Sequence, residues 1–265
     1  MALSIATKHM INIVFAIFVL VPFLSACVTT QQGGLAARAD EKKTLEYSVQ
    51  LARSYISKGH WAAAKRHLKN ALKIDKSSPE VYETLALVFQ NTGETELAEE
   101  NFKRSIKLAS DYSRVRNNYA VFLYQQRRYK EAAKQLEVVV SDILYDKRGM
   151  AFVNLGRSYL QLEELNKAEA AFSRAYGMDR HNAQLMYQLA DVYFQLKEYP
   201  KAYRLYRAYR SQVKQQPAQA LWLGIRLADK FDNQDEFSSF VLALKNLYPA
   251  SKEYLEYKSV FGHDG

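Results

Sequence analysis

The chain has little cysteine, proline or glycine: one Cys, 5 Pro and 10 Gly among 265 residues. A single cysteine excludes a disulfide within the chain and a metal site built on a cysteine cluster. The shortage of proline and glycine permits long runs of helix. The sequence also lacks a His-Glu-x-x-His motif, a Gly-x-Ser-x-Gly motif and a glycine-rich phosphate loop. We therefore expect no enzyme, no cofactor, no metal and no small-molecule substrate, with an unsignalled pair of acids as the remaining enzymatic alternative.

No block of five to eight Lys or Arg residues is present, although the formal net charge is +9. The 37 Lys and Arg residues are spread along the chain and mixed with 28 acids. Nucleic-acid binding proteins concentrate their basic residues on one face or in one run. We therefore expect no nucleic-acid partner. Solvated outer helix faces explain the charge most simply, and an anionic membrane surface or cell-wall polymer is the alternative.

A small residue recurs every 34 positions, with one step of 36. A 34-residue period is typical of tetratricopeptide (TPR) helix pairs. It predicts an all-α, right-handed superhelical solenoid of six helix-turn-helix repeats over residues 44–250. The longer step indicates a two-residue insertion near Asp142–Gly149, and residues 251–265 are expected to hold a short capping helix and a tail. The small residues of the period are Ala52, Ala86, Ala120, Gly156, Ala190 and Gly224.

The N-terminus has the pattern of a secretory signal. The apolar stretch Ile11–Phe23, interrupted only by Asn12, is too short to span a bilayer comfortably. It is followed by Leu24-Ser25-Ala26-Cys27, which resembles the bacterial lipobox. The resemblance implies a signal peptide over residues 1–26, acyl chains on Cys27 and, because residue 28 is Val and not Asp, sorting to the outer membrane. Residues 27–43 show no apolar periodicity and are expected to form a flexible tether.

The concave side of a TPR array is lined by the first helix of each repeat. Counting from each small residue, the positions three before, one after and four after should face inward. Apolar surface in a groove usually marks a protein partner, such as an extended or helical peptide; for any one residue, helix-packing core is the alternative. The rule also gives Glu83, Arg157, Asp191, Leu221, Ile225 and Ala228. The predicted partner-binding groove consists of Val49, Arg53, Ile56, Leu87, Gln90, Asn117, Val121, Tyr124, Val153, Leu160, Tyr187 and Phe194.

Several stretches resemble the type IV pilus biogenesis and stability lipoproteins called PilF or PilW. They include NNYAVFLYQQRRYKEA (117–132), LYDKRGMAFVNLG (144–156) and LKNLYPASKEYLEY (244–257). The Asn-Asn-Tyr run and the Leu-Tyr-Pro-x-Ser-x-Glu-Tyr run lie outside the generic TPR pattern, so the likeness is specific to this family.

The resemblance implies an adaptor lipoprotein on the periplasmic face of the outer membrane. Such a protein binds subunits of the pilus secretin, promotes their localisation and multimerisation, or stabilises the pilus. Another class of function stays open: a TPR lipoprotein scaffold for a different envelope complex, such as outer-membrane protein insertion or peptidoglycan enzymes.

Overall fold

The computed structural model describes residues 33–262, with side chains from residue 39 onward. Over this range the chain forms 13 helices and no strand. Their bounds are α1 Gly33–Ser57, α2 Trp61–Ile74, α3 Pro79–Thr92, α4 Thr95–Leu108, α5 Ser113–Gln125, α6 Tyr129–Ser141, α7 Arg148–Gln161, α8 Leu165–Met178, α9 Ala183–Gln195, α10 Tyr199–Arg210, α11 Ala218–Lys230, α12 Gln234–Leu247 and α13 Lys252–Phe261.

The helices α1 to α12 pack as six consecutive pairs, and α13 packs on α11 and α12. The predicted fold class, an all-α solenoid of six TPR repeats with a capping helix, is therefore confirmed. First helices of neighbouring repeats also touch one another, α1 with α3, α5 with α7 and α9 with α11. Among the described residues, successive second helices make no comparable contact. The first helices therefore lie on the inner, concave side of the curve.

The small residues of the 34-residue period lie where the two helices of a repeat approach most closely. A β-carbon on Gly156 in α7 would lie 2.8 Å from ring atoms of Phe172 in α8. Phe172 is fully buried, so its ring has little room to move away. The period thus records a packing requirement. All six members are buried: Ala52, Ala86, Ala120, Gly156, Ala190 and Gly224.

Hydrogen bonds between tyrosine and glutamate join successive repeats. At three junctions, a tyrosine on the first helix of one repeat donates to a glutamate on the second helix of the preceding repeat. Such bonds fix the angle at which one helix pair stacks on the next, because each joins two otherwise separate units. The pairs are Tyr119 with Glu99 at 2.9 Å, Tyr159 with Glu137 at 2.6 Å and Tyr193 with Glu169 at 2.8 Å.

Helix α1 begins earlier than the sequence predicts. It starts at Gly33, so residues 33–43 are helical where a flexible tether was expected. The tether was predicted because residues 27–43 show no apolar periodicity. Such periodicity indicates that one face of a helix packs on a core, and its absence does not prevent a helix from forming. Residues 35–43 contain strong helix formers and no proline or glycine, and propensity sustains a helix whose residues 39–44 remain exposed.

The predicted signal peptide over 1–26, Cys27, the first part of the tether and residues 263–265 lie outside the described residues. They stay predictions. Within the described residues, no helix is both long enough and apolar enough to cross a bilayer.

The last repeat is closed by α13, as the sequence predicts. Phe261 of α13 makes edge-to-face contacts with Trp222 of α11, at 6.2 Å between ring centroids, and with Phe237 of α12, at 5.2 Å. Glu236 occupies the position where other repeats have alanine. It accepts hydrogen bonds from Tyr203 at 3.1 Å and from Arg210 at 2.7 Å, so a polar contact replaces close helix packing there.

Buried tyrosines predict a loss of stability in alkali. Burial is the largest cause that raises the pKa of Tyr206, which is 1% exposed and donates to Gln216 at 2.6 Å. Because the folded pKa lies above the unfolded value of about 10, the protonated phenol stabilises the fold below pH 10, and this contribution is lost as the pH rises further. We expect the thermal midpoint, followed by circular dichroism, to fall above pH 10. Tyr206→Phe should make that fall shallower, and an unchanged slope in this variant would contradict the assignment.

Candidate functional site

The predicted groove residues form a row along the concave side of repeats one to five. Ten of the twelve are half-buried, so part of each side chain stays accessible. Successive first helices contribute these residues, so the row extends over as many repeats as supply them. The ten are Arg53, Ile56, Leu87, Gln90, Val121, Tyr124, Val153, Leu160, Tyr187 and Phe194.

Two members of the predicted row offer almost no surface. Val49 is 5% exposed and belongs to the core of the first repeat with Ala52 and Leu68. Asn117 is 6% exposed and accepts a hydrogen bond from Asn154 at 3.4 Å. The placement of these two residues in a partner-facing surface is therefore wrong. The counting rule fixes a direction around the helix axis and takes no account of what the neighbouring repeat covers.

The groove also ends sooner than the counting rule predicts. Leu221, Ile225 and Ala228 of α11 are 3%, 0% and 1% exposed, and α13 packs on that helix. The capping helix covers the inner face of the sixth repeat. The open groove is therefore confined to repeats one to five.

A cavity of about 240 Å³ lies at the centre of the groove, between repeats three and four. Val121, Tyr124 and Leu136 supply apolar walls, and the Arg157 guanidinium and Asn154 amide lie at its edge. Apolar walls with a few convergent polar groups suit an apolar side chain whose backbone is held nearby.

A second, larger cavity lies beside the α6–α7 loop, where the sequence predicts the two-residue insertion. It measures about 800 Å³ and lies between the α6–α7 loop and the start of α9. Met150 and Met178, 57% and 49% exposed, line it together with Ile143 and Val153. Methionine side chains adapt to partners of different shape. The sequence predicts the insertion but gives no sign of the cavity beside it.

A buried carboxylate ties the first three repeats together beside the groove. Glu83 of α3 is 1% exposed and accepts from Arg53 at 3.0 Å, Arg114 at 2.9 Å, Asn118 at 2.8 Å and Tyr112 at 3.1 Å. Burial raises the pKa of the Glu83 carboxyl, and the positive charges of Arg114 and Arg53 oppose that shift. With four donors around it, Glu83 is fully engaged and is a structural group, not a partner contact.

Amide side chains form hydrogen bonds between neighbouring repeats along the groove. Gln90 donates to Gln125 at 2.8 Å, and Gln188, with its amide oxygen towards Arg157, accepts from Arg157 Nε at 2.9 Å. Gln90 belongs to the predicted groove residues, whereas Gln125 and Gln188 do not. Gln188 could have been found from the sequence, because an amide recurs two residues before the small residue at Gln50, Asn118, Asn154 and Gln188; Gln125 lies outside this pattern.

The arrangement of the concave side suits the binding of a polypeptide. No group of three His, Cys, Asp or Glu side chains within the described residues is arranged to hold a metal ion. His60 and His67 instead lie against the ring of Tyr55, at 6.2 Å and 5.4 Å between centroids. What the concave side offers is apolar walls, amides and guanidinium groups, which are the groups that hold a polypeptide.

Comparison with known proteins agrees with this description. A sequence model of the tetratricopeptide repeat matches residues 83–143 and 153–220. The type IV pilus assembly protein PilF of Pseudomonas aeruginosa is 36% identical over 244 residues, which cover 92% of this chain and 96% of PilF.

Two solved structures are similar over most of their length. The structure of Pseudomonas aeruginosa PilF has a TM-score of 0.75 at 35% identity and covers 83% of this chain and 99% of its own. That of PilW, a type IV pilus biogenesis factor, has a TM-score of 0.67 at 22% identity, covers 80% of this chain and 97% of its own, and supports the fold. The length and level of the sequence identity show that the chain belongs to the PilF/PilW-type family of tetratricopeptide-repeat proteins.

Proposed function

We propose that this protein is an outer-membrane lipoprotein adaptor for type IV pilus biogenesis. It binds subunits of the pilus secretin in the concave groove and promotes their localisation and multimerisation in the outer membrane. The observation that carries the proposal is the half-buried row of groove residues, in a chain related to PilF along nearly its whole length.

The groove supports recognition of a polypeptide segment with apolar side chains. One such side chain fills the cavity beside Val121 and Tyr124, and a second lies over Met150 and Met178 in the larger cavity. The amides between repeats supply donors and acceptors to a backbone laid along the groove. Removing this apolar surface from water favours binding by about 25 cal/mol for each Å² buried.

The predicted lipid on Cys27 gives the adaptor its location. One acyl chain binds a membrane only marginally, whereas the three chains expected of a bacterial lipoprotein hold it essentially permanently. A partner captured in the groove is then held at the membrane surface, where its effective concentration for ring assembly is raised.

Cys27→Ser tests the anchor. The variant should keep the repeats folded, because residue 27 precedes the first described helix, but should lose acylation. We expect the amount of the protein in isolated outer membranes to fall by about 100-fold or more, because each methylene group of the lost acyl chains contributes about 0.8 kcal/mol to membrane binding. Secretin rings in the same membranes should be lost or misplaced.

The measurement is immunoblotting of separated membranes, with heat-resistant secretin multimers as the second readout. Val138→Glu, on the outer helix α6, is the matched control and should leave both signals unchanged. Normal secretin rings in the Cys27→Ser strain would contradict the proposal. Recovery of an outer-membrane insertion or cell-wall complex without secretin would favour the alternative scaffold.

A further inference from the structure

We propose that the outer face of α2 docks on anionic lipid headgroups of the membrane in which the chain is anchored. The inference rests on the proposed lipid anchor at Cys27. Helix α2 carries four basic residues and no acidic residue over Trp61–Ile74. It is the second helix of the first repeat and therefore lies on the outer side of the solenoid, away from the groove.

The basic residues of α2 occupy its solvent side. Arg66, Lys69 and Lys73 follow the i, i+3, i+7 spacing that places side chains on one face, and all three are exposed. The opposite face is buried through Ala64, Leu68 and Ala71 and packs in the first repeat. The exposed face is thus a continuous basic strip along the helix.

The three side chains are available to a ligand. Lys65, the fourth basic residue, pairs with Glu94 at 2.6 Å. Arg66, Lys69 and Lys73 make no ion pair or side-chain hydrogen bond with any residue that the structure describes. Such a strip attracts phosphate-bearing headgroups, and each basic side chain near an anionic surface shifts the equilibrium by about fivefold.

Other outer helices differ in charge. Helices α4, α6, α8 and α12 each contain acids that offset their basic residues. Among the outer helices that the structure describes, α10 is the other one with basic residues and no acid, through Lys201, Arg204, Arg207 and Arg210. Because α10 lies four repeats further along the chain, it provides a matched control for a strip far from the anchor.

The position of α2 in the chain favours a membrane surface over other anionic ligands, because α2 belongs to the repeat nearest to the proposed anchor. Five residues lie between Cys27 and the start of α1 at residue 33, so the six steps of the chain reach at most about 21 Å when extended. The first repeat is therefore the one held next to the headgroups. On α1, Tyr47 and Leu51 are 68% and 42% exposed and add apolar surface to this end. Docking through α2 leaves the concave groove open on the opposite side.

Energy transfer to labelled lipids tests the docking. The processed lipoprotein is purified from membranes and reconstituted in vesicles of phosphatidylethanolamine, alone or mixed with phosphatidylglycerol, both with a headgroup acceptor dye. Because Cys27 is the only cysteine, and because the proposed lipid blocks its sulfur, a donor dye can be placed at one introduced thiol. The reporters are Asn70→Cys on α2 and Ser211→Cys just after α10, both exposed positions.

Transfer from residue 70 should rise when phosphatidylglycerol is present and exceed transfer from residue 211. The variant R66Q/K69Q/K73Q should lower the transfer from residue 70 to the value measured with vesicles of phosphatidylethanolamine alone. This corresponds to a roughly 100-fold decrease in the ratio of docked to undocked protein. The charge-matched control R204Q/R207Q/K214Q removes two exposed charges of α10 and that of Lys214, which is exposed in the segment after it. This control should leave the transfer from residue 70 unchanged. Salt at 0.5 M should abolish the difference, since it screens exposed charges.

Equal transfer from residues 70 and 211, no dependence on phosphatidylglycerol, or no effect of the α2 triple variant would overturn the docking. A triple variant that loses an acidic protein partner with transfer unchanged would also overturn it and assign the strip to that partner. Failure of the proposed anchor is distinguishable, because the protein would then not float with the vesicles and Cys27 would take up dye.

Discussion

Val121→Glu is expected to weaken binding of the pilus secretin by at least about tenfold, without unfolding the protein. Val121 is half-buried, lines the central cavity and is not part of the buried core. In the free protein the new carboxylate can reach water. In the complex an apolar segment would cover the carboxylate, and burying it is costly even beside the Arg157 guanidinium, because the loss of hydration opposes the attraction between the two charges. A tenfold loss corresponds to about 1.4 kcal/mol.

The affinity for purified secretin subunits is measured by titration with Val121→Glu and with a control variant in the same repeat, Val138→Glu. Val138→Glu makes the same chemical change on α6, where the valine is 46% exposed on the outer side. It should bind as the unchanged protein does. Circular dichroism should give both variants the same helix content and thermal midpoints within a few degrees. Equal affinity of the two variants would show that the central cavity is not the contact surface.

Gly156→Val is expected to destabilise the solenoid by about 3 kcal/mol, at the upper end of the usual range for overpacking. Even the first added carbon would lie 2.8 Å from the buried ring of Phe172, and the two methyl groups of valine add to the conflict. For a chain of this size, the thermal midpoint should fall by roughly 6–12 °C. The readout is thermal unfolding followed by far-ultraviolet circular dichroism.

Gly177→Val is the control within the same repeat. Gly177 lies in α8, is exposed and has nothing within 4 Å of where its β-carbon would be. This substitution should change the free energy of unfolding by no more than about 0.5 kcal/mol, because valine and glycine differ little in helix propensity. A similar loss of stability in both variants would mean that Gly156 matters for the helix and not for the approach of α8.

The helix pairs were predictable because one repeated packing requirement fixes them. Small residues at a 34-residue period mark the close approach of two helices, and the structure places every one of them in the core. Offsets counted from each small residue then indicate which side of each first helix faces inward. Ten of the twelve positions predicted in this way are half-buried, and their contact with a partner stays a prediction.

The remaining features depend on contacts that no single repeat contains. Val49 and Asn117 are covered by neighbouring side chains, and Leu221 and Ile225 are covered because α13 folds back on α11. A substitution such as Val49→Glu would therefore test folding and not binding. The early start of α1 was missed for another reason: its first turns are helical without packing, so they have no apolar period to detect.

Site-specific photocrosslinking in pilus-producing cells tests the central claim most directly. A photoreactive amino acid replaces Tyr124 in the groove or Val138 on the outer side of the same repeat. We expect the secretin to be crosslinked from position 124 and not from position 138. Crosslinking of the secretin from position 138 alone, or from neither position while the pilus is assembled, would contradict the claim that this groove holds the partner.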